Sequence, residues 1–214
     1  MKKNFVWYLS GAITTGFLLL TALVFVDPLP MIDREFSEEV QEHHNLLLDH
    51  AMKFISWFGD IPGLAILIGG TALLFLIYSY KKEALFIVLT GLSGLVSTLV
   101  KLLVNRPRPL PSLVRVIEKT QQQSFPSGHV LFYTVFFGFL LLLMHRLDDL
   151  NKKLRILISF VSIFLLFTVP VSRVYLGAHW FTDVLAGLFL GLLSLAGLSF
   201  FYLRVKDYKT QIRE

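Results

Sequence analysis

Six apolar stretches decide the solvent in which this 214-residue chain folds. They run near Phe5–Val26, Ile61–Tyr80, Ala84–Val104, Val130–His145, Leu154–Val171 and Phe181–Leu203. About 20 helical residues cross the hydrocarbon of a bilayer, so each run crosses or nearly crosses it. The composition agrees: 55% of residues are hydrophobic and only 16% charged, too little polar surface for a soluble domain of this size. The reading is an all-α integral membrane bundle of six transmembrane helices. The first run follows Met-Lys-Lys, as a signal peptide would. It is longer than a typical signal core, and no small-x-small cleavage site precedes Asp27-Pro28, so it reads as a retained anchor.

The net charge of +5 would suit a nucleic-acid binder, but the basic residues lie between the spans instead of on one soluble face. Attraction to anionic lipid and a topology signal explain them better. With the N-terminus inside, the cytoplasmic segments carry twelve of the twenty Lys and Arg but five of the fifteen acids, which places both termini in the cytoplasm. Absence of cysteine excludes disulfides, thiolate metal sites and a cysteine nucleophile. Between the first two spans, Val40, Leu47, Ala51, Phe54 and Phe58 give Glu38–Phe58 the spacing of an interfacial amphipathic helix. Trp57 then sits at headgroup depth, as an anchor or as a gate for lipid entry. With no repeat, low-complexity tract or flexible linker, residues 1–214 read as one domain.

Polar residues beside membrane spans are costly and mark function. Here they concentrate in two segments, Lys101–His129 and Ser172–Asp183, both on the outer side of the predicted topology. Prolines 107, 109 and 111 end the third span near Asn105, with Lys101 in its last turn. In the extended Arg-Pro run beyond, Arg106 and Arg108 point in different directions, and one of them faces the site. Ser127 reads as the N-cap of the fourth span and Gly128 permits close approach of a ligand, where a helix start suits phosphate. His129 follows in the first turn; a capping Ser beside an interfacial His is the blander alternative. His179 and Asp183, four apart at a helix start, share a face, and a carboxylate on one imidazole nitrogen makes the other more nucleophilic. Arg173 offers a planar fork for phosphate oxygens.

Lys101…Arg108-Pro109, Pro126-Ser127-Gly128-His129 and Ser172-Arg173…His179…Asp183 resemble, in order and spacing, the K-x6-R-P, P-S-G-H and S-R-x5-H-x3-D motifs of the type-2 phosphatidic acid phosphatase superfamily. The spacing from Lys101 selects Arg108 over Arg106 as the family position. The resemblance implies a lipid phosphatase in which His179 is the nucleophile that forms a phosphohistidine, Asp183 orients it, and His129 is the general acid. Lys101, Arg108, Ser127, Gly128 and Arg173 would hold the phosphate. It also implies no metal and no other cofactor, in keeping with a site region in which Asp183 is the one acid of consequence. Among bacterial members the chain is most similar to the compact phosphatidylglycerol phosphate phosphatases. The expected partners are a phosphorylated membrane lipid and the bilayer of a bacterial plasma membrane, with the site outside and no obligate protein partner.

Phosphatidylglycerol phosphate is the first substrate to expect. Undecaprenyl diphosphate, recycled as a cell-wall lipid carrier, is the alternative. A non-catalytic lipid-binding protein would not need both His129 and His179; a transporter would carry its charges at mid-span depth. An intramembrane protease would leave Arg108 and Arg173 without a task.

Overall fold

The structure, a computed structural model, describes residues 3–118, 120 and 122–205. Among these residues there are nine helices: α1 (Lys3–Val26), α2 (Met31–Gln41), α3 (Leu46–Trp57), α4 (Ile61–Ile77), α5 (Lys81–Leu89), α6 (Leu92–Val104), α7 (Gly128–Arg146), α8 (Lys152–Tyr175) and α9 (Phe181–Arg204). By length and apolar composition five spans can cross a membrane, α5 and α6 together forming the one at Lys81–Val104. A sixth is reached if α3 and α4, which meet at a 53° bend, count as a single broken span.

Helix α7 is the axis of the bundle. It is apolar all round, as a helix surrounded by others must be, and buries Phe132, Phe136, Phe139 and Leu143 among α8, α9 and α6. Gly187 and Gly191 let α9 close on it: a Cβ on Gly187 would lie 2.6 Å from the Ser127 carbonyl oxygen, and one on Gly191 2.7 Å from Thr134 Cβ. Close packing at small residues is how helices associate where lipid removes the hydrophobic drive between them. Outward-facing side chains of the spans, such as Leu73, Leu102 and Phe167, are apolar and exposed.

Two boundaries differ from the hydropathy reading. Helix α8 continues through Pro170 to Tyr175, so Ser172 and Arg173 belong to a helix end and not to a loop. The expected amphipathic helix over Glu38–Phe58 is two helices, α2 and α3, separated at residues 42–45, where Asn45 caps α3 by accepting from the Leu48 amide at 2.8 Å. Their polar faces turn inward, burying Asp33, Ser37, Gln41, Asp49 and Ser56, while Met31, Leu46, Leu47 and Phe54 point out. Gln41 Nε2 donates to the Arg115, Val174 and Tyr175 carbonyls, and its Oε1 accepts from the Arg115 amide. Asp49 takes a two-pronged contact from Arg115 and a 2.7 Å bond from the Tyr175 hydroxyl. The pair of helices thus straps the α6–α7 loop to the end of α8.

Candidate active site

Four helix ends meet at one end of the bundle: the C-termini of α6 and α8 and the N-termini of α7 and α9. Helix α6 stops because Asn105 takes a left-handed conformation (φ 50°), which short polar side chains tolerate, and Pro107 follows. Lys101, in its last turn, is buried and donates from Nζ to the Gln123 carbonyl at 2.5 Å. The extended run beyond sends the two arginines apart. Arg108 turns to the cavity, with Nη1 donating to the Ala178 carbonyl at 2.6 Å and lying 3.3 Å from His179 Nε2. Arg106 turns to the opposite side.

Gly177 ends α8 with φ 63°, and a Cβ there would lie 2.3 Å from the Arg115 carbonyl oxygen, so only glycine fits. The chain folds back on itself, the His179 amide donating to the Arg173 carbonyl at 3.2 Å. His179 Nδ1 then faces Asp183 Oδ2 at 3.6 Å, just beyond hydrogen-bond range, and Nε2 faces the cations. Burial first, then the charges of Arg108, Lys101 and Arg173, hold the His179 imidazole well below its ordinary pKa. At neutral pH it carries a free lone pair. Arg108, half-buried, is lowered to about 10 by the burial it has, a value that still leaves it charged.

Asp183 is held from behind. Its Oδ2 accepts from the Trp180 amide at 2.9 Å and from the Ser124 hydroxyl, and its Oδ1 from Arg106 Nη1 at 2.5 Å. Arg106 in turn bonds Asp33 Oδ2 at 2.5 Å, Thr182 Oγ1 at 2.7 Å and the Pro28 carbonyl. Asp33 also accepts from the Thr182 amide and hydroxyl, both at 2.8 Å. The side chains of Arg106, Asp33 and Asp183 are inaccessible to solvent. The motif spacing selects neither Arg106 nor Asp33. The Arg106-Pro107 pair is a visible signal for the first, whereas nothing local sets Asp33 apart from the other acids between the first two spans.

On the other side of the cavity, Arg173 sends Nη1 to Ser56 Oγ at 2.5 Å and both terminal nitrogens to Glu118, at 3.0 and 2.7 Å. His129 Nε2 lies 3.2 Å from Asp60 Oδ1. Gly128 backs onto α6, where a Cβ would sit 3.0 Å from Ser97 Oγ. Ser127 stands at the N-cap position of α7, as expected, but makes no capping bond. Its amide donates to the Asp183 carbonyl at 2.9 Å, its hydroxyl makes no hydrogen bond among the described residues, and it does not line the cavity. Lys101, Arg108, Gly128, His129, Arg173 and His179 do line it, around a volume of about 510 Å³.

Asp60, Glu118 and His129 bring one ligand atom each within 4.8 Å of one another, a grouping that could be asked to hold a metal. Glu118 already pairs with Arg173 and Asp60 with His129, and Lys101, Arg108 and Arg173 around the cavity favour an anion over a cation. An uncharged imidazole facing convergent cations can attack a phosphoryl group whose negative charge those cations stabilise.

The PAP2 superfamily model matches residues 82–207, more than half of the chain. The chain belongs to the PAP2 superfamily. It is 28% identical to phosphatidylglycerophosphatase B of Bacillus subtilis (strain 168) over 202 residues, covering 90% of this chain and 94% of that protein. Among solved structures it superposes on the transmembrane PAP2-type phosphatidylglycerolphosphate phosphatase from Bacillus subtilis with a TM-score of 0.78. That match has 25% identity and covers 94% of this chain and 99% of the other. Aquifex aeolicus LpxE shares the fold, at a TM-score of 0.62 and 19% identity over 82% of this chain and 97% of its own. The protein is a multi-pass membrane lipid phosphatase of this superfamily, acting on a lipid within the bilayer.

Proposed function

We propose that this single-domain protein hydrolyses a phosphomonoester or diphosphate headgroup through a phosphohistidine at His179, without a metal, and that phosphatidylglycerol phosphate is its substrate. The observation that carries the reading is His179 Nε2 turned toward Arg108 at 3.3 Å, with Asp183 behind Nδ1 and Lys101 and Arg173 across the same cavity. The Nε2 lone pair attacks phosphorus, and Asp183 stabilises the positive charge that develops on the ring. Lys101, Arg108, Arg173 and the Gly128 amide at the start of α7 hold the phosphoryl oxygens. His129 supplies the proton for the leaving oxygen, a contribution of about 10²–10⁴ in rate. Water then releases phosphate from His179.

The cavity opens at the bundle end where basic residues between spans are scarcer, which supports a site on the outer leaflet of a bacterial plasma membrane with both termini inside. The substrate itself rests on the likeness to a phosphatidylglycerophosphatase over nearly the whole chain. The test is phosphate release by detergent-solubilised protein from phosphatidylglycerol phosphate, phosphatidic acid and undecaprenyl diphosphate, with vanadate and with EDTA. Highest kcat/KM on the first, inhibition by vanadate and indifference to EDTA are the expected results. Preference for undecaprenyl diphosphate would reassign the substrate, and loss with EDTA would overturn the metal-free chemistry. With labelled substrate, His179→Ala should form no acid-labile phosphoenzyme.

A further inference from the structure

We propose that Asp60 is the positioning residue of the general acid His129, fixing which ring nitrogen delivers the proton; this rests on the phosphatase reading above. Asp60 occupies the N-cap position of α4, where an Asp side chain ordinarily bonds its own helix amides for about 1 kcal/mol. It makes no such bond. Its Oδ1 lies instead 3.2 Å from His129 Nε2. The Asp60 side chain is 45% exposed, and a pair that open contributes little to stability, so a stabilising role does not account for the forgone cap.

The bend that carries Asp60 is built against the imidazole. A Cβ on the preceding Gly59 would fall 2.2 Å from His129 Cδ2, so the backbone packs directly on the ring. The Tyr133 hydroxyl, one turn along α7 from His129, donates to the Ile55 carbonyl at 2.7 Å, and Ser56 is bonded by Arg173. The bend is therefore referenced to α7 and α8, the two helices that carry the acid and a phosphate-holding fork.

With the Asp60 carboxylate accepting at Nε2, the His129 ring keeps a proton there in both of its charge states, and the transferable proton is on Nδ1. As the His179 lone pair forms the P–N bond, the P–O bond breaks with its electron pair on the leaving oxygen, which takes the Nδ1 proton. In the second half-reaction water attacks phosphorus and gives a proton back to Nδ1, and the P–N electrons return to His179. Among the described residues, the charged and titratable groups facing His129 are Asp60 from the bend, Glu118 from the α6–α7 loop, Arg173 from α8 and His179.

The experiment compares wild type, Asp60→Asn and Asp60→Glu, each alone and the first also in a His129→Gln background. Substrates are phosphatidylglycerol phosphate and p-nitrophenyl phosphate, whose leaving group needs no proton. Asp60→Asn keeps the shape and removes the charge. Its kcat on the lipid should fall roughly 10–100-fold, within what a general acid contributes. Its KM on the lipid and its kcat/KM on the aryl ester, which reports only the first half-reaction, should change less than about 3-fold. Asp60→Glu should restore part of the rate, and in His129→Gln the same Asn change should cost less than about 2-fold. Equal losses of kcat/KM on both substrates, a rise in KM alone, or an undiminished loss in the His129→Gln background would overturn the role of Asp60. Wild type inert toward every phosphoester would instead remove the phosphatase reading beneath it.

Discussion

Arg106→Met keeps an unbranched stem and removes every donor. Five hydrogen bonds disappear: two to the Pro28 carbonyl and one each to Asp33, Thr182 and Asp183. What matters more is that Asp33 and Asp183, both with wholly buried side chains, lose the cation they share. Stranding one partner of a buried ion pair costs about 3–5 kcal/mol, and here one deletion strands two. The cost should therefore reach the top of that range, about 5 kcal/mol, which for a chain of this length is a fall in Tm of roughly 10–20 °C. Thermal unfolding in detergent measures it, with phosphate release recorded below the transition. Turnover should fall further than the folded fraction, because Asp183 loses the contact that sets its Oδ1. The decisive arm is Asp33→Asn. In wild type it should destabilise, since it removes a paired charge; on Arg106→Met it should stabilise by about 1–2 kcal/mol, since it removes a stranded one. An Arg106→Met protein melting within about 2 °C of wild type, or an Asp33→Asn change that destabilises both backgrounds, would refute the shared-cation reasoning.

Gly187→Ala puts a Cβ 2.6 Å from the Ser127 carbonyl oxygen and should cost about 1–3 kcal/mol and most of the turnover, while Gly197→Ala, open on all sides, should be neutral or slightly stabilising by thermal unfolding. Because His179 in the folded protein sits well below its ordinary 6.5, the acid limb of kcat/KM should lie below 6.5 in a pH–rate profile. The sign for stability follows: the unfolded chain binds the proton first, so the contribution is complete above about 6.5 and is lost as pH falls toward the folded value, which unfolding at graded pH will show. Arg173→Lys keeps the charge but loses the fork that joins Glu118 and Ser56, and should lower phosphate release at least about 10-fold with little change in Tm.

Much of this was legible in the chain itself. The spans are apolar runs, their ends are marked by Asn105 before Pro107 and by Gly177, and the i,i+4 spacing of His179 and Asp183 places both on one face. Such signals are local: each is written in residues a few positions apart. Even the separation of Arg106 from Arg108 follows from the Arg-Pro run between them. What each arginine meets does not. Arg106 pairs with Asp33, 73 residues away, and Arg173 with Glu118, 55 away, and those pairings exist because α2 and the end of α6 both pack on α9, and because the α6–α7 loop is bonded to the end of α8 at the Leu176 carbonyl. The strap of α2 and α3 makes the same point. Its apolar spacing marks it as amphipathic, yet only the neighbours of its polar face, Arg106, Arg115 and Tyr175, turn that face inward. The sequence determined where the chain crosses the membrane and which residue types gather at one end of it. The tertiary structure decided which buried charge answers which, because a long-range ion pair is selected by desolvation and geometry at a site that no single segment contains.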